Sequence, residues 1–465
     1  MRRIMLLLVL FTCLSAAGTA WGGSHTVYVP PPNGTDDTTN IQKALDACVA
    51  YGKNCTVQLA AGTYFTKQLV AYNFQGTFMG MGKDQTIIEA IYPLTVTGFA
   101  GPSLCLPNIT DCLWPTLIMF VEGDIHVSDL AIHINAPPGT AVHPYSLLGS
   151  LTTSLLDGLR FMGKRPTHVS VDRISIEGLP DNSANSFGIL FGFGVGFNVV
   201  NEVIYTGELP RSATPFDYYF LSGSLTVRNS SFKMAIDGVS QDGFLRSSHE
   251  TIAGNHFENL FVGMDMEASE SSVVEISNNV SSGIYASMWV VPWQPAFVPS
   301  SPSRYLIHDN KFSTIAPSAQ AIYLWNDPTN PWIDALVWNN AIELQDTLSD
   351  GIDAYNTKAT VIWNNTITGT GYDAIGLSGS TLSTVIGNNV SDFAPDPSIG
   401  LAQIYLDPGT SHDLVVCAEP SNTVLNQGTN NVVIGCQQLA AKSISPPDSK
   451  RSLGLPKGKP WLRQP

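Results

Sequence analysis

Apolar positions recur along this chain in a fixed relation to small polar ones. From about residue 125 an aliphatic side chain lies three positions before a Ser, Asp or Asn. The pairs are Ile125/Ser128, Val169/Asp172, Val227/Ser230, Ile252/Asn255, Ile276/Asn279, Ile307/Asn310, Val337/Asn340, Ile362/Asn365 and Ile386/Asn389. Successive intervals are 44, 58, 25, 24, 31, 30, 25 and 24 residues, so one unit of 24 or 25 residues repeats and the longer intervals carry inserted loops. Roughly nine positions after most of these polar residues comes a second short segment, as in Gly263-Met264-Asp265-Met266-Glu267, Gly283-Ile284-Tyr285-Ala286-Ser287, Ala321-Ile322-Tyr323-Leu324-Trp325, Gly351-Ile352-Asp353-Ala354-Tyr355 and Ala374-Ile375-Gly376-Leu377-Ser378. Apolar and polar or aromatic residues alternate within each, which is the period of a strand. Two or three short strands per 24 residues make one coil of a solenoid, and coils stacked about 4.8 Å apart let every strand pair with its equivalent in the next. The recurrent Asn is then expected to stack as an internal ladder on the turn backbones. A propeller blade needs about 40 residues, and the alternating helices of a TIM barrel or leucine-rich repeat are absent.

One segment has helical rather than strand period. Asp36-Asp37-Thr38-Thr39 offers N-cap residues, and Ile41, Ala44, Leu45 and Cys48 follow at helical spacing. The strand Thr56-Val57-Gln58-Leu59 and then Ala61-Gly62-Thr63-Tyr64 come after it. A short amphipathic helix there can cover the open end of a solenoid and block edge-to-edge pairing. The fold class expected is all-β: a single-stranded right-handed parallel β-helix with an N-terminal capping helix.

The run Asp36-Asp37-Thr38-Thr39-Asn40-Ile41-Gln42-Lys43-Ala44-Leu45, followed by Ala60-Ala61-Gly62-Thr63-Tyr64 and the Gly-Ile and Asn repeats, resembles the pectin-lyase-like β-helix superfamily over roughly residues 25–436. That group includes polysaccharide lyases, polygalacturonase-like glycoside hydrolases, sugar epimerases and phage tailspikes, so the resemblance implies a fold and not a reaction. The Asn-Thr-Asp, Asp-Asp, Gly-His-Gly and Arg-x-Lys motifs of the polygalacturonase-like hydrolases are missing. Ile236-Asp237-Gly238 and Gln241-Asp242-Gly243 only echo them. The Asp-Pro-His-Asp signature of alginate epimerases is missing too; Leu406-Asp407-Pro408 and Ser411-His412-Asp413 do not supply it.

Domain boundaries follow from the two ends. Residues 1–20 read as a signal peptide, with Arg2 and Arg3, an apolar run from Met5 to Phe11 and a small-residue site at Gly18-Thr19-Ala20. Residues 25–436 are the β-helix. Residues 437–465 are rich in Lys, Pro and Ser and read as a disordered basic tail. The six cysteines after the leader form three close pairs: Cys48 and Cys55, Cys105 and Cys112, Cys417 and Cys436. Local disulfides near the two ends of the solenoid, and a secreted or periplasmic location, are expected. The formal net charge is −15, and the tail is basic, so the excess acid lies in the body. That argues against nucleic acid or an anionic membrane as partner, and it makes a polyanionic substrate hard to hold unaided. No later stretch is long and apolar enough for a membrane span. Seven Asn-x-Ser/Thr sequons are present, at Asn33, Asn54, Asn108, Asn229, Asn279, Asn364 and Asn389.

Alternation also sorts the repeat into inward and outward residues. If the apolar residue after Gly faces the core, carboxylates and aromatic rings share one outer face in adjacent coils. Sugar rings stack on aromatic faces, and carboxylates accept hydroxyl hydrogen bonds. The expected partner is therefore a polysaccharide or other glycan. Candidate catalytic carboxylates are Asp242, Asp265, Glu267 and Asp353, since glycoside hydrolysis needs two such groups with separated pKa values. Candidate substrate-binding rings are Tyr285, Trp289, Tyr323, Trp325 and Tyr355. The blander reading, in which such rings only cover neighbouring coils, applies with more force to Trp338 and Trp363, which lie on another strand face with His308. His249, His256 and Arg246 sit near the acidic strands in sequence and could assist proton transfer, although each is more simply structural. Three functions compete: a glycoside hydrolase needing no cofactor; a lyase or C5-epimerase acting on uronates with Ca²⁺ held by Asp242, Asp265 or Glu267; and a non-catalytic glycan-binding surface protein. No metal ligands are assigned, and oligomeric state is not specified by the sequence.

Overall fold

The computed structural model describes residues 25–91, 116–133, 146–151, 168–177, 187–192, 195–207, 214–219, 222–242, 245–246, 248–267, 269–270, 272–291, 301–314, 319–326, 333–395 and 402–440. Residues 1–24 and 441–465 lie outside them. Every strand pairing among the described residues is parallel, in a 27-stranded, a 12-stranded and a two-stranded sheet. One coil shows how the chain winds. His249–Ala253 lies on one face, His256–Glu258 on the next and Val262–Glu267 on a third, before Val273–Ser277 returns to the first one coil further on. These are the ladder face, the rear face and the groove face. The long strands Leu69–Met79 and Thr116–Ser128 run across both groove and ladder faces, which joins those two faces into the larger sheet. This is a right-handed parallel β-helix.

The core is built by stacking like on like. On the ladder face Val127, Val171, Val200, Val227, Ile252, Ile276, Ile307, Val337, Ile362, Val385 and Val415 align one above another, all buried. β-branched side chains suit this arrangement because their restricted χ1 matches from coil to coil. On the rear face Phe232 stacks on Phe257 with centroids 5.6 Å apart. The single helix among the described residues, Thr38–Tyr51, buries Ile41, Ala44, Leu45 and Cys48, the apolar stripe read from its spacing. No helix of the described residues is long and apolar enough to cross a membrane.

Of the three cysteine pairs expected to bond, two are disulfides in the structure. Cys48–Cys55 and Cys417–Cys436 staple the two ends, each with Cα atoms 5.3 Å apart. The third does not join them: Cys105 and Cys112 both fall in the stretch 92–115, outside the described residues, so the disulfide read for Cys105 with Cys112 stays an expectation from sequence.

The Asn ladder exists, with two corrections to its sequence register. It runs from Ser230 through Asn255, Asn279, Asn310, Asn340 and Asn365 to Asn388. Each Asn Oδ1 accepts the backbone N–H of the ladder residue one coil earlier, at 2.9–3.1 Å. Each Nδ2 donates to a ladder-face carbonyl, as Asn310 does to Ile276 at 3.0 Å. The residue before each ladder position is left-handed, with φ between 52° and 67°: Asn229, Gly254, Asn278, Asp309, Asn339, Asn364 and Gly387. Only Gly, Asn and Asp adopt that conformation readily, which accounts for the repeated Asn-Asn. In the last coil Gly387 takes the turn, so Asn388 enters the ladder and Asn389 is exposed. At the other end Ile125 and Val169 are two residues out of register with the repeat. The equivalent aliphatics are Val127 and Val171, and the ladder position there holds buried Leu130 and Ile174. The polar ladder therefore begins only at Ser230. Asn279, a sequon residue, is fully enclosed in it.

A carboxyl group sits inside the coils. Glu250 points inward and is fully buried; Tyr218 Oη and Ser248 Oγ each donate to its carboxyl at 2.8 Å. Burial raises its pKa from 4.5 to about 7, against the smaller downward pull of those hydrogen bonds. The folded state thus holds a proton that the unfolded chain releases at lower pH. The stability this contributes is complete below pH about 4.5 and is lost as pH rises through about 7. At 1.36 kcal/mol per pKa unit the loss is of the order of 3 kcal/mol. Glu250→Gln should flatten the urea-midpoint profile between pH 4.5 and 8. An unchanged slope would mean that Glu250 does not carry it.

Candidate functional site

The groove face holds one outward row in register through eight coils: Asp217, Ser240, Asp265, Trp289, Tyr323, Asp353, Gly376 and Tyr405. Core residues flank it on each strand, such as Ile352 and Ala354 around Asp353. Strict alternation then fails on the N-terminal side of the row. A Cβ on Gly351 would lie 3.1 Å from the core side chain of Ile367, and one on Gly238 2.4 Å from the ring of Phe257. The position two before the row thus faces inward, like the position one before it, and the position three before returns outward. That adds a second row: Asp237, Val262, Ala286, Gln320, Asp350 and Asp373.

The middle coils of this surface carry a closed apolar cluster. Val262, Ala286, Trp289 and Tyr323 form a cluster of their own outside the solenoid core, with Phe261, Tyr285, Val291 and Trp325 packed against it. Tyr285 lies at the bend between Val280–Ile284 and Ala286–Val291, not within a strand, and its ring stacks on Phe261 at 4.7 Å. Trp289 meets both rings edge-on. Trp289 and Tyr323 are 7% and 1% exposed, so the open aromatic platform expected from alternation is not formed by them. Trp325 is half-buried, and of the five rings only Tyr355, 39% exposed, stands clear. The reason is tertiary: rings facing outward on neighbouring coils find one another before they find solvent.

The C-terminal part is acidic. Asp350 and Asp373 are adjacent in one row, Asp353 and Gly376 in the other. Asp350 and Asp373 are buried and Asp353 is half-buried. A Cβ built on Gly376 would lie 3.0 Å from Asp373 Oδ1 and 3.3 Å from Asp353 Oδ1. The two carboxylate oxygens therefore both approach the same bare position and are no further apart than those distances together. Tyr323 stands beside this group, its hydroxyl raised by burial first and then by Asp353, Tyr355 and Asp350. Among the described residues its Oη, buried, has no hydrogen-bond partner, and neither has Trp289 Nε1. On the far side Tyr405, pushed up to about 12 by burial and then by Asp407, Tyr372 and Asp373, donates from Oη to Gln427 Oε1 at 3.2 Å.

The candidates read from sequence divide accordingly. Asp353 is in the acidic group. Asp265 is buried between Ser240 and Trp289, away from that group. Asp242 and Glu267 end the strands Asp237–Asp242 and Val262–Glu267, and their side chains lie outside the described residues. Asp350 and Asp373 were missed, although Asp350-Gly351-Ile352 and Asp373-Ala374-Ile375 repeat the order of Asp237-Gly238-Val239. His249 opens a ladder-face strand and His256 lies on the rear face against Glu258, so neither shares the groove. Trp338 stacks on Trp363 at 4.8 Å and on His308 at 4.2 Å, on the ladder face. Among the described residues no group of three or more His, Cys, Asp or Glu side chains is placed to hold a metal ion.

No family model matches the chain, and no curated protein matches it by sequence. Solved structures do. The chain is similar to the Dettilon tailspike protein gp208 (TM-score 0.54, 14% identity, 83% of this chain and 70% of that one). It is also similar to DFA-IIIase from Arthrobacter chlorophenolicus A6 in complex with DFA-III (TM-score 0.51, 12% identity, 85% and 95%). The shared fold is the parallel β-helix. At such identities the likeness extends to the fold alone, and the chemistry must be argued from this chain's own side chains.

Proposed function

We propose that this chain is an exported glycoside hydrolase whose carboxylates are Asp353 and Asp373, with Asp350 beside them. The observation that carries the reading is the pair of carboxylate oxygens that both approach bare Gly376. Carboxyl groups this close do not ionise independently, which suits one to hold a proton while another stays charged. The protonated one would give its proton to the glycosidic oxygen, and the ionised one would attack the anomeric carbon or activate water. Separations of about 5 Å serve retention and about 6.5–9.5 Å inversion; the limit set at Gly376 favours the shorter. Two disulfides support an exported protein, and the leader and basic tail read from sequence are part of the same proposal.

The test is incubation of the mature protein with a panel of neutral and uronate polysaccharides, with and without Ca²⁺. New reducing ends without ultraviolet-absorbing products are the expected result. Unsaturated, Ca²⁺-dependent products would replace the hydrolase by a lyase. Binding without any cleavage or epimerisation would leave a glycan-binding protein.

A further inference from the structure

We propose that an apolar stripe on the outer side of the ladder face is the docking site of this chain's own basic C-terminal segment, residues 441–465. Two outward rows build the stripe. The row that starts at Trp338 continues in register through Trp363, Ile386 and Val416 to Ile434. The row beside it, two residues earlier on each strand, is apolar from Leu306 to Val432 except at Thr384. Ile386, Val432 and Ile434 are 41%, 52% and 52% exposed, and Leu382, at the turn before Ile386, is exposed too. Strand pairing does not demand apolar residues at these places. In the three preceding coils one row holds Thr226, Thr251 and Glu275, and the other holds Arg228, Ala253 and Ser277. Those coils stack in the same way with mostly polar side chains outward. A stripe of exposed apolar surface that the coil does not require marks a contact.

Charge and chain path select the occupant. A glycan stacks on open ring faces, but Trp338 has Trp363 on one face at 4.8 Å and His308 on the other at 4.2 Å, so it offers an edge. A second copy of the chain would bring like charge: residues 301–440 hold 13 Asp or Glu against three Lys or Arg, and two such surfaces repel. Residues 441–465 have the opposite balance, six Lys or Arg and one Asp, together with Leu453, Leu455, Trp461 and Leu462. That segment complements both the charge and the apolar character of the stripe. It also starts in the right place. Val432–Ile434 ends the stripe, and Gln437–Gln438 follows on the groove face. In the two coils before, the chain returns directly from groove to ladder face, from Ile404–Leu406 to Leu414–Val416 and from Thr423–Asn426 to Val432–Ile434. A chain that kept this winding would reach the ladder side soon after residue 440. Pro446, Pro447, Pro456 and Pro460 disfavour a helix in the segment. Extended backbone rises about 3.1 Å per residue, so Leu453 to Trp461 would span about 25 Å. From Ile434 back to His308 the stripe crosses five coil steps, about 24 Å at about 4.8 Å each.

The experiment is limited digestion of the folded chain by trypsin, with cleavage after Lys450, Arg451 and Lys457 followed by mass spectrometry. A synthetic peptide of residues 441–465 is digested beside it. Docking should slow these cleavages roughly 10-fold or more against the free peptide, because the protease acts on the undocked fraction. Ile386→Lys puts a repelling charge on the exposed stripe. The double variant Leu455→Asp/Trp461→Asp removes apolar contacts from the segment itself. Each should return cleavage to within about threefold of the free peptide. If Ile386→Lys does not fold, the double variant still decides, because it changes no residue of the coils. A wild-type segment cut as fast as the free peptide would overturn the proposal. Slow cutting that neither variant changes, or that only the double variant relieves, would place the segment off the stripe and overturn it as well. Fast cutting in a wild-type dimer that Ile386→Lys dissociates, read by sedimentation, would give the stripe to a second copy instead.

Discussion

Asp353→Asn and Asp373→Asn should each lower turnover by about 10²- to 10⁴-fold, the range over which a positioned acid or base contributes. Asn has nearly the shape of Asp, so the coil should hold and the melting temperature should not fall. A small rise is expected, because removing one charge from three crowded carboxylates relieves repulsion. The double variant should be little worse than the worse single one, since residues acting as a unit are not additive. Asp265→Asn is the internal comparison. Asp265 lies in the same outward row but between Ser240 and Trp289, well away from Gly376 along the stack of coils, and its replacement should leave kcat within a few-fold. The measurement is initial rate on the cleaved glycan alongside thermal melting. Full activity in both Asp353→Asn and Asp373→Asn would remove the pair from the chemistry. A loss confined to Asp265→Asn would move the site toward the coils of Asp217, Asp237 and Asp265.

The fold was legible because a solenoid writes each structural rule many times. Ile252, Ile276, Ile307 and their equivalents repeat at coil spacing, and the helix stripe Ile41, Ala44, Leu45, Cys48 breaks that period once, at the end it covers. The acidic group was legible only in part. Asp353 follows from alternation, whereas Asp350 and Asp373 come outward because two consecutive residues before the row face the core. Glycines at 238 and 351, which have no room for a side chain, were the available sign of that irregularity. The burial of Trp289 and Tyr323 was not legible at all, because period two tells which side of a strand a ring is on and not whether another ring covers it. Likewise Asn388 and Asn389 cannot be told apart by counting from Ile386. The distinction lies in Gly387, whose left-handed φ of 64° sends the next residue inward.

That distinction predicts a large difference between two similar substitutions. Asn310→Ala should cost roughly 3–5 kcal/mol, because the removed amide makes four hydrogen bonds and each buried polar group left without one costs about 1–3 kcal/mol. Asn310 Oδ1 accepts from both the backbone N–H and the Nδ2 of Asn279 at 3.0 Å; its own Nδ2 donates to the Ile276 carbonyl at 3.0 Å and to Asn340 Oδ1 at 2.9 Å. No water reaches these atoms to replace the amide, since Asn279, Asn310 and Asn340 are all buried. The damage should also spread, because each amide orients its neighbours in both directions and a solenoid coil depends on the coils it touches. Amide hydrogen exchange should therefore quicken first in the coils around Ile276 and Ile307 rather than uniformly. Asn389→Ala changes an exposed side chain whose Oδ1 accepts from the backbone N–H of Ser391 at 3.3 Å and from its Oγ at 2.7 Å, and should fall within about 0.5 kcal/mol of wild type. Denaturant midpoints of the two variants decide it. Equal small effects would mean that the ladder follows from coil stacking without stabilising it, and a larger cost at Asn389 would restore the register counted from Ile386.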